Sequence, residues 1–149
     1  MRKVMAVASG GGHWVELRRI MPAFAGAEVV YVSTEPQADA DLAPARYYAV
    51  RNVTRKNRFA FAVTIRQIFA IVRRERPEVV VTTGSAPGLV ALVLAKLLCR
   101  SRTVWIDTVA NSERMTLSGK LAKPVADAWL VQWPHLARPG GPEFWGAVL

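Results

Sequence analysis

Short, unbroken apolar runs alternate along the chain with longer stretches whose apolar residues recur at helical spacing. Residues 3–8 form the first run, a short strand stopped by glycines, and 28–33 form a second. Between them, Val15, Leu17, Ile20, Met21 and Phe24 share one side of a helix over 13–24, with Pro22 disturbing its last turn. Residues 34–46 are a polar connection expected to be mobile, and 47–50 read as a short third strand. A long helix over 58–76 ends at Pro77. Residues 78–83 lack alternation, which argues for a strand buried on both faces. Residues 84–88 read as a turn, and 89–99 as a helix apolar nearly all round, hence internal. A strand over 103–107, a loop over 109–115, a helix over 117–125 interrupted by Pro124 and a last strand over 128–132 follow. Alternating strands and helices predict an α/β fold, a Rossmann-like doubly wound parallel sheet. Residues 1–149 make a single domain, with 134–149 as a tail.

Composition narrows the class. With 149 residues and 52% hydrophobic content the chain can bury a substantial core, and disorder is excluded. Cys99 is the only cysteine, so no disulfide framework forms within the chain, and a reducing compartment suits it. The apolar run after Met1-Arg2-Lys3 breaks at Gly10, unlike a secretory signal, and the longest apolar candidate, 86–98, is too short to span a bilayer and contains Lys96. The charge is unusual. Arg51, Arg55, Lys56, Arg58, Arg66, Arg73, Arg74 and Arg76 face one anion, Glu75, so this stretch carries seven of the nine net positive charges. Such a patch suits a polyanion. Phe59, Phe61 and Phe69 among these cations suit an anionic membrane surface, whereas the plainer reading is a core helix with solvated basic ends. No recognition-helix or zinc-finger pattern accompanies the charge, so nucleic acid is not expected.

In an open parallel sheet, ligands sit beyond the carboxyl ends of the strands at the switch in strand order. If the first strand and the 78–83 strand are neighbours, Ser9-Gly10-Gly11-Gly12-His13 meets Thr82-Thr83-Gly84-Ser85 there. The glycine run allows close backbone approach to a ligand at a helix N-terminus. It also fits a tight turn needing one positive φ. A dinucleotide fingerprint is incomplete, because Val15 holds its third glycine position, although Glu35 is placed to hold a ribose. Gly119-Lys120 does not complete a phosphate-binding loop. His13, at the positive end of a helix, reads as a neutral imidazole able to take a proton, or as a polar cap. Asp107 ends an apolar strand and reads as a loop-ordering acceptor or a substrate contact; Asp127 reads as a turn cap and His135 as surface. No cluster has metal-ligand spacing, so neither metal nor cofactor is expected.

Five blocks occur in the order of one family. They are Ser9 to His13; Val79-Val80-Val81-Thr82-Thr83-Gly84; Val104-Trp105-Ile106-Asp107; Leu117-Ser118-Gly119-Lys120; and Ala126-Asp127-Ala128-Trp129-Leu130-Val131-Gln132-Trp133. On these, residues 3–149 resemble the membrane-associated subunit of the two-component UDP-N-acetylglucosamine transferase of asparagine-linked glycosylation, and its bacterial relatives, the PssD-type subunits of polysaccharide biosynthesis. The glycine–histidine block is shared with MurG-like transferases. The resemblance implies the N-terminal, acceptor-side half of a GT-B glycosyltransferase split over two chains. A separate catalytic subunit would bind the UDP-sugar, and the acceptor would be a lipid-diphosphate-linked saccharide at the cytoplasmic face of the cell membrane. Eukaryotic members carry an N-terminal anchor; none is seen here, which favours the bacterial branch and exopolysaccharide or capsule synthesis. His13 and Asp107 would be catalytic, and Gly10, Gly11, Gly12, Thr83, Gly84 and Ser85 would line the substrate. Arg55, Lys56, Arg58, Phe59, Arg66, Arg73 and Arg74 would meet lipid, and Phe144 and Trp145 the partner chain. The family has Glu followed by Ser where Asp107-Thr108 stands, so the carboxylate is retained on a shorter arm. The competing readings are a non-catalytic membrane scaffold that activates its partner, and a free-standing nucleotide-binding module.

Overall fold

The computed structural model describes residues 1–37, 39–53 and 56–148. Seven parallel strands are ordered β3-β2-β1-β4-β5-β6-β7, where β1 is Lys3–Ala8, β2 Glu28–Ser33, β3 Arg46–Ala49, β4 Val79–Thr82, β5 Arg102–Ile106, β6 Ala128–Val131 and β7 Glu143–Phe144. The helices are α1 (Gly12–Ile20), α2 (Arg58–Glu75), α3 (Ser85–Cys99) and α4 (Leu117–Ala122). The chain winds outward from β1 to β3, then returns through α2 to β4 and winds the other way. The switch in strand order therefore lies between β1 and β4, and it opens a crevice beyond their carboxyl ends.

Strand β1 is central because its residues are apolar on both sides. Met5 and Val7 pack with Ile68, Val72, Val80, Leu92 and Trp105 under α2 and α3. Val4, Ala6 and Ala8 pack with Trp14, Leu17, Tyr31 and Val81 under α1. Asn57 starts α2 by accepting the Ala60 N–H at 3.0 Å, and Arg76, left-handed at φ 47°, ends it before Pro77. Glycine permits close packing twice on the α2–α3–α4 side. A Cβ on Gly88 would lie 2.1 Å from Thr82 Oγ1, and one on Gly119 would lie 2.4 Å from Asp107 Oδ1.

The structure departs from the sequence reading in five places. Helix α1 stops at Ile20, and Pro22 opens a separate 3-10 turn, Met21–Phe24. Residues 84–88 are not all turn: α3 begins at Ser85, with Pro87 in its first turn, where an N–H would have no helical partner. Helix α3 is not internal throughout, since Leu97 and Leu98 are exposed at its end. The strand over 128–132 is not the last, because the tail returns as β7 beside β6. Among its described residues the 34–46 connection is bonded back to α1: Arg18 pairs with Asp39 and Asp41, and the Trp14 indole donates to Asp39 at 3.0 Å.

Candidate functional site

The three glycines after β1 differ in what holds them. A Cβ on Gly10 would lie 2.0 Å from Glu35 Oε1, while Gly10 N–H donates to Thr34 Oγ1 at 2.9 Å. Gly11 takes φ +72° at the N-cap of α1, where no side chain caps the helix. Gly12 has nothing within 4 Å of where a Cβ would be. Packing explains the first glycine and conformation the second; the third leaves the first turn of α1 bare to whatever occupies the crevice.

His13 is held by a reciprocal pair of bonds to the end of β4. Its Nδ1 lies 3.0 Å from the Thr83 carbonyl, and Thr83 Oγ1 donates to the His13 carbonyl at 2.6 Å. A carbonyl only accepts, so Nδ1 carries the proton and Nε2 keeps its lone pair in the neutral ring. No partner for Nε2 is found among the described residues. Gly84, at φ +128°, lets the ring lie against the β4–α3 turn; a Cβ there would sit 2.9 Å from both Nδ1 and Cε1. Ser85 follows at φ +74°, a costly conformation for a residue with a Cβ, and its Oγ is buried without a partner among the described residues. The glycine loop, His13, Thr83, Gly84 and Ser85 thus come together as the sequence places them.

Asp107 does not join them. It is 2% exposed, and both oxygens are engaged: Oδ1 accepts from Trp105 Nε1 at 3.1 Å and Thr116 Oγ1 at 2.6 Å, and Oδ2 from Thr116 N at 2.9 Å. The expected catalytic carboxylate is a loop-ordering acceptor that ties the end of β5 to the start of α4. Asp127 caps the other end of the same layer, accepting from Thr103 N at 2.9 Å and from Lys96 at 2.5 Å. His135 is exposed as expected, yet its Nε2 also donates to the Ser112 carbonyl.

Sequence reasoning missed Glu16. The apolar periodicity put Val15 toward the core, but Val15 is 47% exposed and Glu16 is 5% exposed. Glu16 accepts from Thr108 Oγ1, Val109 N and Gln132 Nε2. The signal was a carboxylate one turn beyond His13, beside the buried Trp14 and Leu17 of the same helix.

The outer face of α2 carries Phe59, 71% exposed, with Arg66, Phe69 and Arg73 below it. Arg51 lies 5.9 Å over Phe59 and Arg73 lies 5.8 Å over Phe69. Lys56, Arg58 and Arg74 are exposed as well, and Arg55 lies outside the described residues. Among the described residues no carboxylate pairs with Lys56, Arg58, Arg66, Arg73 or Arg74, whereas Lys3, Arg18, Arg46 and Lys96 are all paired. Helix α4, on the same layer, adds exposed Leu117, Leu121 and Lys120. Among the described residues no helix is long and apolar enough to cross a membrane. Phe144 in β7, an edge strand of the sheet, and Trp145 just after it are exposed, and the Trp145 indole donates to Glu143 at 3.1 Å.

A family model described as "Oligosaccharide biosynthesis protein Alg14 like" matches residues 4–148. The UDP-N-acetylglucosamine transferase subunit ALG14 of Eremothecium gossypii is 40% identical over 83 residues, 48% of this chain and 37% of that protein. Its Yarrowia lipolytica counterpart is 26% identical over 163 residues, 91% of this chain and 75% of that protein. Among solved structures, MurG of Acinetobacter baumannii superposes with a TM-score of 0.71 at 14% identity, covering 97% of this chain and 45% of that one. At that identity the likeness shows the fold alone, an α/β Rossmann-like sheet of the kind MurG carries.

Proposed function

The chain belongs to the Alg14-like family of oligosaccharide-biosynthesis proteins, and we propose that it is the acceptor-side subunit of a two-component glycosyltransferase using UDP-N-acetylglucosamine. The donor sugar follows from the relatives, which are UDP-N-acetylglucosamine transferase subunits. A second chain binds the UDP-sugar and closes over the crevice between β1 and β4. The observation that carries this reading is His13, whose Nδ1 is fixed on the Thr83 carbonyl so that Nε2 presents its lone pair at the switch point. An acceptor hydroxyl beside Nε2 gives up its proton there. Its oxygen attacks the anomeric carbon from the face opposite UDP, and the bond to the diphosphate breaks with its electron pair leaving on UDP. Gly10, Gly11 and Gly12 shape the loop around the reacting end of a lipid-diphosphate-linked saccharide, and Thr83, Gly84 and Ser85 line the same crevice. The unpaired cations and exposed aromatics of α2, joined by Leu117 and Leu121, meet an anionic membrane surface on the cytoplasmic side, as a peripheral contact. Phe144 and Trp145 are covered by the partner. The finer reading, a PssD-type subunit of bacterial polysaccharide synthesis, rests on the sequence blocks.

A scaffold without catalytic duty is the second reading, favoured by one observation: Asp107 is withdrawn into the loop. His13→Ala in the two-chain complex separates the two. A general base supplies about 10²–10⁴-fold in rate, so a loss of that size with the complex intact supports catalysis by this chain. A loss of only a few-fold makes it a scaffold.

A further inference from the structure

Three donors converge on the Glu16 carboxylate, and none comes from its own helix. Thr108 Oγ1 donates to Oε2 at 2.9 Å, Val109 N to Oε1 at 2.8 Å and Gln132 Nε2 to Oε1 at 2.7 Å. The Gln132 amide also donates to the Asp107 carbonyl at 2.9 Å, and its oxygen accepts from Val148 N at 2.7 Å. Both side chains are buried. A buried carboxylate carries a desolvation penalty that well-packed apolar residues of similar volume avoid, so stability alone is a poor reason for one here. Its position supplies a better one. Glu16 stands one turn after His13 on α1, and its bonds end on the residues just beyond β5 and β6. These elements wall a hollow of 260 Å³ between Gly12, Val109 and Val148, at the lip of the crevice.

We infer that Glu16 and Gln132 are positioning residues of this site: they lock the Thr108–Val109 lip to α1 one turn after His13, so that the lip and His13 keep one fixed spacing. The inference deepens the reading above and rests on it. Because Val148 hangs on the same amide, the tail segment that follows Phe144 and Trp145 is tied to that spacing too.

The test uses the two-chain complex, with UDP-N-acetylglucosamine as donor and farnesyl-diphosphate-linked N-acetylglucosamine as the acceptor probe. Gln132→Glu sets two carboxyls face to face, where they share one proton. The protonated pair donates across the gap as the amide did; the doubly ionised pair repels. Among the described residues Arg19 of α1 is the other ionisable side chain lining this hollow, and Asp107, whose carbonyl accepts from Gln132, has its carboxylate oxygens already engaged. Measured against the wild type at the same pH, the variant should keep its kcat below the shared pKa and lose it by about tenfold per unit above, a limb that the wild type lacks. Its KM for donor should hold, because the donor sits on the other chain. Glu16→Leu, which leaves Thr108 Oγ1, Val109 N and Gln132 Nε2 without their acceptor, should lower kcat at every pH by about 10²-fold, with the complex intact by gel filtration. A wild-type pH profile in Gln132→Glu, a loss in that variant that does not change with pH, or full kcat in Glu16→Leu overturns the positioning role while the proposed function stands. A wild-type complex that transfers no sugar to the probe overturns the proposed function, and this inference with it.

Discussion

Replacing Gly84 by alanine tests the geometry that fixes the His13 imidazole. The backbone at Gly84 has φ +128°, where an L side chain is strained by about 1–3 kcal/mol. The new Cβ would lie 2.9 Å from Nδ1 and Cε1, closer than such atoms pack. The ring must move, and its bond to the Thr83 carbonyl, 3.0 Å long, is lost. That bond contributes about 0.5–1.5 kcal/mol more. The variant should therefore be about 2–4 kcal/mol less stable, and a chain of this size loses about 2–4 °C in Tm for each kcal/mol. Thermal unfolding followed by circular dichroism reads the stability. Nitrogen NMR of the imidazole reads the tautomer, expected as Nδ1–H in the wild type and mixed in the variant. In the two-chain complex an ångström of displacement should cost about 10²-fold in transfer. A Gly84→Ala chain with unchanged Tm and an unmixed Nδ1–H tautomer would refute the reasoning.

Asp107→Asn sets an amide NH2 among the three donors Trp105 Nε1, Thr116 N and Thr116 Oγ1 and should cost about 1–3 kcal/mol of stability, while transfer per folded complex stays near wild type. A collapse of transfer at unchanged stability would return Asp107 to the chemistry. Reversing Arg58, Arg66 and Arg73 to glutamate should weaken binding to phosphatidylglycerol vesicles by at least about 10²-fold, at about 1 kcal/mol per cation. Unchanged sedimentation with those vesicles would remove the membrane from α2. Acid should unfold the chain through Glu75 and Asp127. Burial pushes the Glu75 carboxyl up, but hydrogen bonds from Tyr48 and Lys3 and the charges of Arg46 and Lys3 outweigh it, holding it below 4.5. Burial likewise raises Asp127, and Lys96 with Thr103 brings it below 3.8. Both folded values are depressed, so their stabilisation is complete above the unfolded values and disappears as pH falls through the folded ones. Denaturant midpoints measured downward from about pH 5 should fall in the wild type and fall less in Glu75→Gln.

The doubly wound sheet was legible because unbroken apolar strands such as Val79–Thr82 can be satisfied only between two layers, and because Pro77 and the glycine runs mark where helices stop and start. Strand β7 was not, since Glu143-Phe144 carries too few residues for any periodicity and is defined only by Leu130 and Val131 beside it. The start of α3 at Ser85 was hidden for a related reason. Gly, Ser, Ala and Pro together signal a turn, and only the left-handed Gly84 and Ser85 let the chain enter a helix at once.

The two carboxylates show how far composition reaches into a site. Asp107 drew attention because it ends an apolar strand and heads a loop, where a charge is either aimed at a ligand or tied to the loop. The choice depends on donors that arrive from elsewhere in the chain, and here Trp105 and Thr116 take every oxygen. Glu16 drew none, because a glutamate inside an amphipathic helix ordinarily faces water. Its burial is set by Thr108 and Gln132, 92 and 116 residues away, which no local pattern records. With Asp107 withdrawn, His13 is the one expected catalytic side chain left at the switch point, its free nitrogen aimed by a carbonyl that cannot donate. On the proposed function, the acceptor's proton leaves through that nitrogen or through a group on the other chain, and His13→Ala decides which.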